Sequence, residues 1–264
     1  MQQFIDISWW QLGLFSLTLF IPFAINYRYQ LSIGKDAILA ISRMVIQLGL
    51  IGLYLAFLFE LNNLWVNLVW LILMIGIGAS AIISKAKLPK KHLFIPVSLG
   101  LVVGLFPLLM LLTLAVIQPT PFYHAQYLIP LAGMLLGNSL SANIVSLQHF
   151  FLSFEDKWPE YEAALALGAS PKQACFGFVQ NALRKALAPI LATMATTGLV
   201  SLPGMMTGQI LGGTSPMIAI KYQVLIMIAI WVMMSISITL CLWLVVKQSI
   251  TRAGKPLIRA ESER

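Results

Sequence analysis

The stretch QYLIPLAGMLLGNSLSANIVSLQHFFLSFEDKWPEYEAALALGASPKQA, Gln126 to Ala174, joins two unlike halves. Its first half, about 126–149, is an apolar run long enough to cross a bilayer as a helix. Its second half opens a polar insert, 150–185, before the chain turns apolar again. A polar, well-capped segment in so apolar a chain has no hydrophobic reason to exist. It points to a surface that something soluble grips.

The rest of the chain sets the class. Its 264 residues are 59% hydrophobic and 10% charged, with a mean hydropathy of +0.87. Soluble domains run roughly half apolar and about a quarter charged. Spans in lipid must satisfy their own backbone, so long apolar runs read as helices. The expected fold is an all-α polytopic membrane protein, a single transmembrane domain over 1–264 with the insert at 150–185. Seven spans are predicted, at about 5–26, 38–58, 64–84, 94–117, 126–149, 186–209 and 217–246. The first lacks a basic leader and a small-residue cleavage site, and reads as a retained helix. Trp9, Trp10, Trp65 and Tyr123 fall near proposed membrane edges, where amphipathic rings are favoured.

Charge orients these spans. Of the 17 Lys and Arg, 15 fall on alternate loops, including Arg28, Lys35, Lys85, Lys87, Lys90, Lys91, Lys157, Lys172, Arg184 and Lys185. The C-terminal tail adds Lys247, Arg252, Lys255, Arg259 and Arg264. Only Arg43 and Lys221 lie within proposed spans. The positive-inside rule places the N-terminus outside and the C-terminus in the cytosol, across the cytoplasmic (inner) membrane. The net charge of +8 then reflects orientation and contact with anionic headgroups, not nucleic-acid binding. Cys175 would be cytosolic and Cys241 lies in a span, so no structural disulfide is expected.

This topology makes the insert cytosolic. Pro159 suits a first helical turn, and Glu160 and Glu162 place negative charge at its positive end. Tyr161, Ala164, Leu165 and Gly168 recur at i, i+3, i+4, i+7, a largely apolar stripe, and Gly168 is a C-terminal stop. Ser170 begins a second helix with Pro171 in its first turn and Gln173 completing a capping box. The spacing predicts a short helix, a glycine turn and a second helix running into the sixth span. Helices that rest on lipid are usually rich in Lys and Arg. Two glutamates and small alanines favour a protein partner instead.

Glu162-Ala163-Ala164 followed by Gly168-Ala169-Ser170 resembles the EAA segment of ABC transporter permeases. In that class the segment is the coupling helix, which docks into a groove of the cytosolic ATPase. The importer pattern continues to Leu-Pro soon after the glycine; here FVQNALRKALAP reaches proline only at Pro189. A narrower match covers most of the chain. LAGMLLGNSLSAN (Leu131 to Asn143), EYEAALALGAS and GLVSLPGMMTGQILGG (Gly198 to Gly213) resemble the FetB-type iron-export permeases, ABC membrane subunits related to plant aluminium-tolerance half transporters. The resemblance implies a permease homodimer, two ATPase subunits and iron export. It also implies that Glu160, Glu162, Ala163, Ala164, Gly168, Ala169 and Ser170 form the ATPase-coupling segment.

Two spans look unlike lipid-facing helices. Gly133, Gly137 and Ser141 lie four apart, a stripe that lets another helix approach closely. Asn138, Ser139, Ser141, Asn143, Ser146 and Gln148 add polar groups that suit either helix packing or a translocation path. In the sixth span Pro203, Gly204, Met205, Met206, Thr207, Gly208, Gln209 and Gly212 predict a weakened or broken helix near the outer face. Irregular backbone at that depth survives only where protein or water satisfies it, and broken helices often mark transporter sites. Asn138, Ser141, Asn143, Pro203, Gly204, Met205, Met206, Thr207 and Gln209 are therefore the expected path or gate. Gly133, Gly137, Gly208 and Gly212 are the expected packing glycines.

No tight iron site is expected. The nine acids, among them Asp6, Asp36, Glu60, Glu155 and Asp156, fall outside the spans or at their edges, and His92, His124 and His149 share no spacing. Arg43, about two turns into the second span with Gln47 a turn further, reads as an arginine snorkelling to cytosolic headgroups. No GxxxxGK[ST] string occurs, so the chain is read as a non-enzymatic subunit that binds no cofactor, with ATP-Mg on its partner. The alternatives are an importer permease fed by a binding protein and an ion-coupled carrier. Carriers often use a membrane-embedded acid, which these spans lack. Importers need outer loops that dock the binding protein, and here the longest, around Gln118 to Ala125, is short.

Overall fold

Helices follow directly from the apolar runs, and their ends from local capping chemistry. The structure is a computed structural model that describes residues 6–249, and over these it is built of helices and their connections. Helix α1, Trp9–Ser16, starts at Ser8, whose hydroxyl accepts from the Gln11 N–H while the Gln11 side chain accepts from the Ser8 N–H. A 3-10 turn at Leu17–Leu19 carries it into α2, Phe20–Arg28. Helix α3, Gly34–Leu61, stops at Asn62 in the left-handed region, and α4, Leu64–Lys85, is capped by the Asn63 side chain. Helix α5, Lys90–Leu111, contains Pro96 and Pro107 and runs into a π-helical segment, Leu112–Ile117. Then come α6, Ala125–Asp156; α7, Trp158–Ala166; α8, Pro171–Ala174; α9, Phe176–Thr196; α10, Gly204–Leu211; and α11, Pro216–Ser249. The C-terminal Arg252, Lys255, Arg259, Glu261, Glu263 and Arg264 lie outside the described residues, as does the first residue of the predicted first span.

Helices α4, α5, α6, α9 and α11 pack around one continuous apolar core that includes Leu71, Ile82, Leu101, Leu135, Leu147, Ile190, Met233 and Leu242. Without a hydrophobic drive between helices in lipid, small residues and polar cross-links set how close they come. Both are present. A Cβ built on Gly100 would meet the Ser237 carbonyl oxygen at 2.7 Å, and one on Gly104 the Met233 carbonyl oxygen at 3.2 Å. Two glycines one turn apart therefore seat α5 against the backbone of α11. Beside them the buried Asn143 amide donates to Ser237 Oγ at 3.0 Å, tying α6 to α11.

The first two membrane passages stand apart. No residue of α1 or α2 is buried. Helix α3 meets the bundle at its C-terminal end, where Leu58 packs with Ala125 and Ile129 and Tyr54 lies against Trp70. Asn62 and Asn67 fasten that end, with Asn62 Oδ1 accepting from the Ala125 N–H and Asn67 Nδ2 donating to the Tyr123 carbonyl.

Among the described residues six helical runs are long and apolar enough to cross a membrane, not seven: Trp9–Arg28, Gly34–Leu61, Leu64–Lys85, His92–Ile117, Ala125–Asp156 and Pro216–Gln248. The predicted sixth span, 186–209, is not one helix. Helix α9 begins ten residues earlier at Phe176 and ends at Thr196. Gly198 then takes a positive φ of 87°, and Pro203 supplies the N-cap of α10. Arg184 and Lys185 fall in the first half of α9, which lowers its apolar character. The expected second helix of the insert is likewise shorter: α8 is one turn, separated from α9 by Cys175.

Candidate functional site

The insert is a folded projection held by one anchor. Pro159 lies in the first turn of α7, Glu160 follows, and Lys157 pairs with Glu160 at 3.4 Å. Tyr161 is almost fully buried and packs among Phe154, Trp158 and Phe178, with ring centroids 5.1, 5.5 and 6.3 Å away. Its hydroxyl hydrogen-bonds the buried Cys175, closing the insert against the start of α9. Burial pushes the Tyr161 hydroxyl up to about 12, and a charge on Cys175 and the shared hydrogen bond act in the same direction. Burial also pushes the Cys175 thiol up to about 12, although the Tyr161 hydrogen bond opposes this. Both groups are neutral at physiological pH.

Helix α7 ends as its glycine predicts. Gly168 has φ +90°; its N–H donates to the Leu165 carbonyl and the Ala169 N–H to the Ala164 carbonyl, each at 3.0 Å. Such a C-terminal motif needs the left-handed region, which glycine enters without strain. Ser170 and Gln173 form the expected capping box of α8. The stripe read from sequence faces inward: Tyr161 is buried, and Ala164 and Leu165 are half-buried. Glu160, Glu162, Ala163, Gly168 and Ser170 are exposed and Ala169 is half-buried. Leu167 beside them is 89% exposed, an apolar knob that the sequence reading passed over. Its only signal was its position, one residue before the glycine turn.

The polar residues of α6 divide into two sets. Ser139, Asn143 and Ser146 are buried. Asn143 Nδ2 reaches the Ser139 carbonyl at 2.9 Å, Ser139 Oγ at 3.1 Å and Ser237 Oγ, while its Oδ1 is buried without a partner. This expected path residue is thus a cross-link within the bundle. Gly137, Asn138 and Ser141 instead form an exposed face pointing away from the chain's own core.

Helix α10 shows the same division. Gly204, Gly208 and Gly212 are exposed, Met205 packs against the core, and Thr207 donates to the Pro203 carbonyl at 3.1 Å. Pro203, Met206 and Gln209 are half-buried, and Gln209 Oε1 is enclosed without a partner. The loop before α10 holds Leu199, Val200 and Leu202 at 91%, 82% and 59% exposure. Within one chain the expected packing glycines do little packing. A Cβ on Gly133 would make ordinary contact with Met74, and one on Gly137 or Gly208 would meet nothing within 4 Å. The close helix contact falls at Gly100 and Gly104, whose four-residue spacing carried the same signal. No group of three or more His, Cys, Asp or Glu that could hold a metal ion occurs among the described residues.

Comparison with known proteins places this arrangement. The model of the uncharacterised protein family UPF0014 matches residues 9–250. The chain belongs to this family. UPF0014 relatives include a membrane protein of Synechocystis sp., 34% identical over 86% of this chain and 87% of that protein. The protein ALUMINUM SENSITIVE 3 of Arabidopsis thaliana is 35% identical over 77% of this chain and 73% of its own length. The "Probable iron export permease protein FetB" of Escherichia coli is 29% identical over 81% of this chain and 82% of its own length. No solved structure matches the chain. Six apolar passages and membrane-protein relatives make this UPF0014 member a multi-pass, all-helical membrane protein.

Proposed function

We propose that this chain is the permease subunit of an ABC transporter, driven by a separate cytosolic ATPase, and that it exports iron or a related metal ion. The observation that carries the reading is the insert. It is anchored by Tyr161 and presents Glu160, Glu162, Ala163 and Leu167 outward. That surface is rigid, partly apolar and acidic at the helix start, which suits a protein cleft better than anionic lipid. The cargo rests on the name of the E. coli relative. ATP-Mg belongs to the partner subunit in this reading, and the permease itself carries out no chemistry.

In this reading the 21-residue α9 and α10 together make a seventh crossing, so the N-terminus is outside, the C-terminus and insert are cytosolic, and the protein resides in the inner membrane. Two copies face each other across the exposed faces of α6 and α10. Gly137, Asn138, Ser141, Gly204 and Gly208 are open in a single chain, and a second copy would enclose them as a path. Hydroxyls, amides and carbonyls along it offer weak oxygen ligands, adequate for passage and poor for retention. Short outer connections favour export over an importer that must dock a binding protein.

Co-purification tests the coupling surface. Glu162→Lys reverses a charge on the outward face, and Gly168→Leu forces a left-handed turn that costs about 1–2 kcal/mol in an L-residue. Each is expected to lower recovery of the ATPase by about tenfold while the permease still reaches the membrane. Undiminished recovery with both variants would remove the insert from the coupling role.

A further inference from the structure

The α3–α4 hairpin leaves a cleft that the transport reading does not use. Helix α3 is fastened at its C-terminal end, where Leu58 and Asn62 hold α6 and Tyr54 lies against Trp70 of α4. Toward the other end a cleft of about 670 Å³ opens between α3 and α4. Its mouth holds Arg43, Lys85 and Lys90 with the hydroxyls of Ser80 and Ser84, and among the described residues its lining contains no carboxylate. Lys90 Nζ donates to Ser80 Oγ at 3.1 Å, which fixes one ammonium at the mouth with two donors to spare. Deeper in, the wall is the apolar face of α4 from Ile72 to Ile77, where Gly76 leaves room: a Cβ there would meet nothing within 4 Å.

We propose that this cleft binds an anionic phospholipid, its phosphate held by Arg43, Lys85 and Lys90 and one acyl chain lying along the Ile72–Ile77 face. Three cations without a counter-charge among the described residues need an anion, and arginine offers a planar fork that matches phosphate oxygens. A splayed pair of membrane helices needs an apolar filler. One amphipathic molecule meets both demands, and basic pockets between membrane helices are known to hold anionic headgroups. Arg43 is thereby a ligand-holding residue at the cleft, beyond simple snorkelling. A second copy of this chain, itself carrying a net charge of +8, is a poor match for the mouth.

Native mass spectrometry of the purified full chain, titrated with phosphatidylglycerol or phosphatidylcholine, tests this. The wild type is expected to retain phosphatidylglycerol at least about fivefold better, since each cation near a lipid surface contributes about that factor. R43Q/K90Q loses the preference, R43K, which keeps the charge but not the fork, retains part of it, and K247Q, at an exposed lysine outside the cleft, leaves it intact. G76F, which fills the acyl track without touching charge, also lowers retention, while its melting temperature without added lipid stays at the wild-type value. Equal retention of both lipids by the wild type would overturn the proposal, and so would an equal loss with K247Q. Unchanged binding by G76F together with displacement by glycerol phosphate would make it a site for free phosphate instead. Efficient disulfide cross-linking between two copies carrying Ile77→Cys would give the cleft to a second chain.

Discussion

Single residues decide what the insert is. Gly168 turns the chain in a region that other residues enter only under strain, and Tyr161 fixes the resulting corner to the bundle. The glycine was legible because a helix stop has a residue signature. The Tyr161–Cys175 pair was legible only by half: the stripe placed Tyr161 on an inward face, but no local pattern pairs it with a residue fourteen positions on. The pair has a pH signature. Folding raises both groups to about 12, from 10.0 for the tyrosine and 9.0 for the cysteine. Their neutral forms are favoured in the folded state, so this stability is complete below about pH 9 and is lost as the pH rises toward 12. Melting measured from about pH 8 to pH 11 should fall, and Tyr161→Phe should flatten that fall. A wild-type melting point that does not move above pH 9 would show that the pair is not sealed.

At the level of elements, spacing predicted helices better than it predicted partners. Small residues four apart occur on α5, α6 and α10, and the same pattern serves different ends. Gly100 and Gly104 admit the backbone of α11, whereas Gly137 and Gly208 face open space within the chain. One-dimensional spacing cannot tell these apart, because the difference lies in what stands opposite. Likewise Pro203 and its glycines announced a break, but the run of apolar residues around them concealed that α9 ends seven residues earlier, at Thr196. The distinction is measurable. Gly100→Leu drives a side chain into the Ser237 carbonyl and should cost about 1–3 kcal/mol or more, lowering the melting temperature in detergent. Gly137→Leu should leave that temperature unchanged and impair assembly or flux. Equal destabilisation by the two would place Gly137 inside the fold of one chain.

The whole molecule is a bundle with three unfinished surfaces: an exposed insert, an outward polar face on α6 and α10, and the cleft left where α3 splays from the core. A finished monomer would need none of them. In the proposed reading each fits a different neighbour, in turn an ATPase, a second permease and a lipid. The apolar runs made the membrane class legible at once, and charge asymmetry predicts its orientation, but exposure of the polar face emerged only when α6 was packed. Cargo was never written in ligand chemistry, since no embedded carboxylate or imidazole cluster marks it. The direct test is therefore transport. Inverted membrane vesicles holding this chain and its ATPase should take up iron when ATP is added outside, and lose that uptake with Gly137→Leu. ATP-independent iron movement, or ATP-driven uptake confined to right-side-out vesicles, would contradict an ATP-driven exporter.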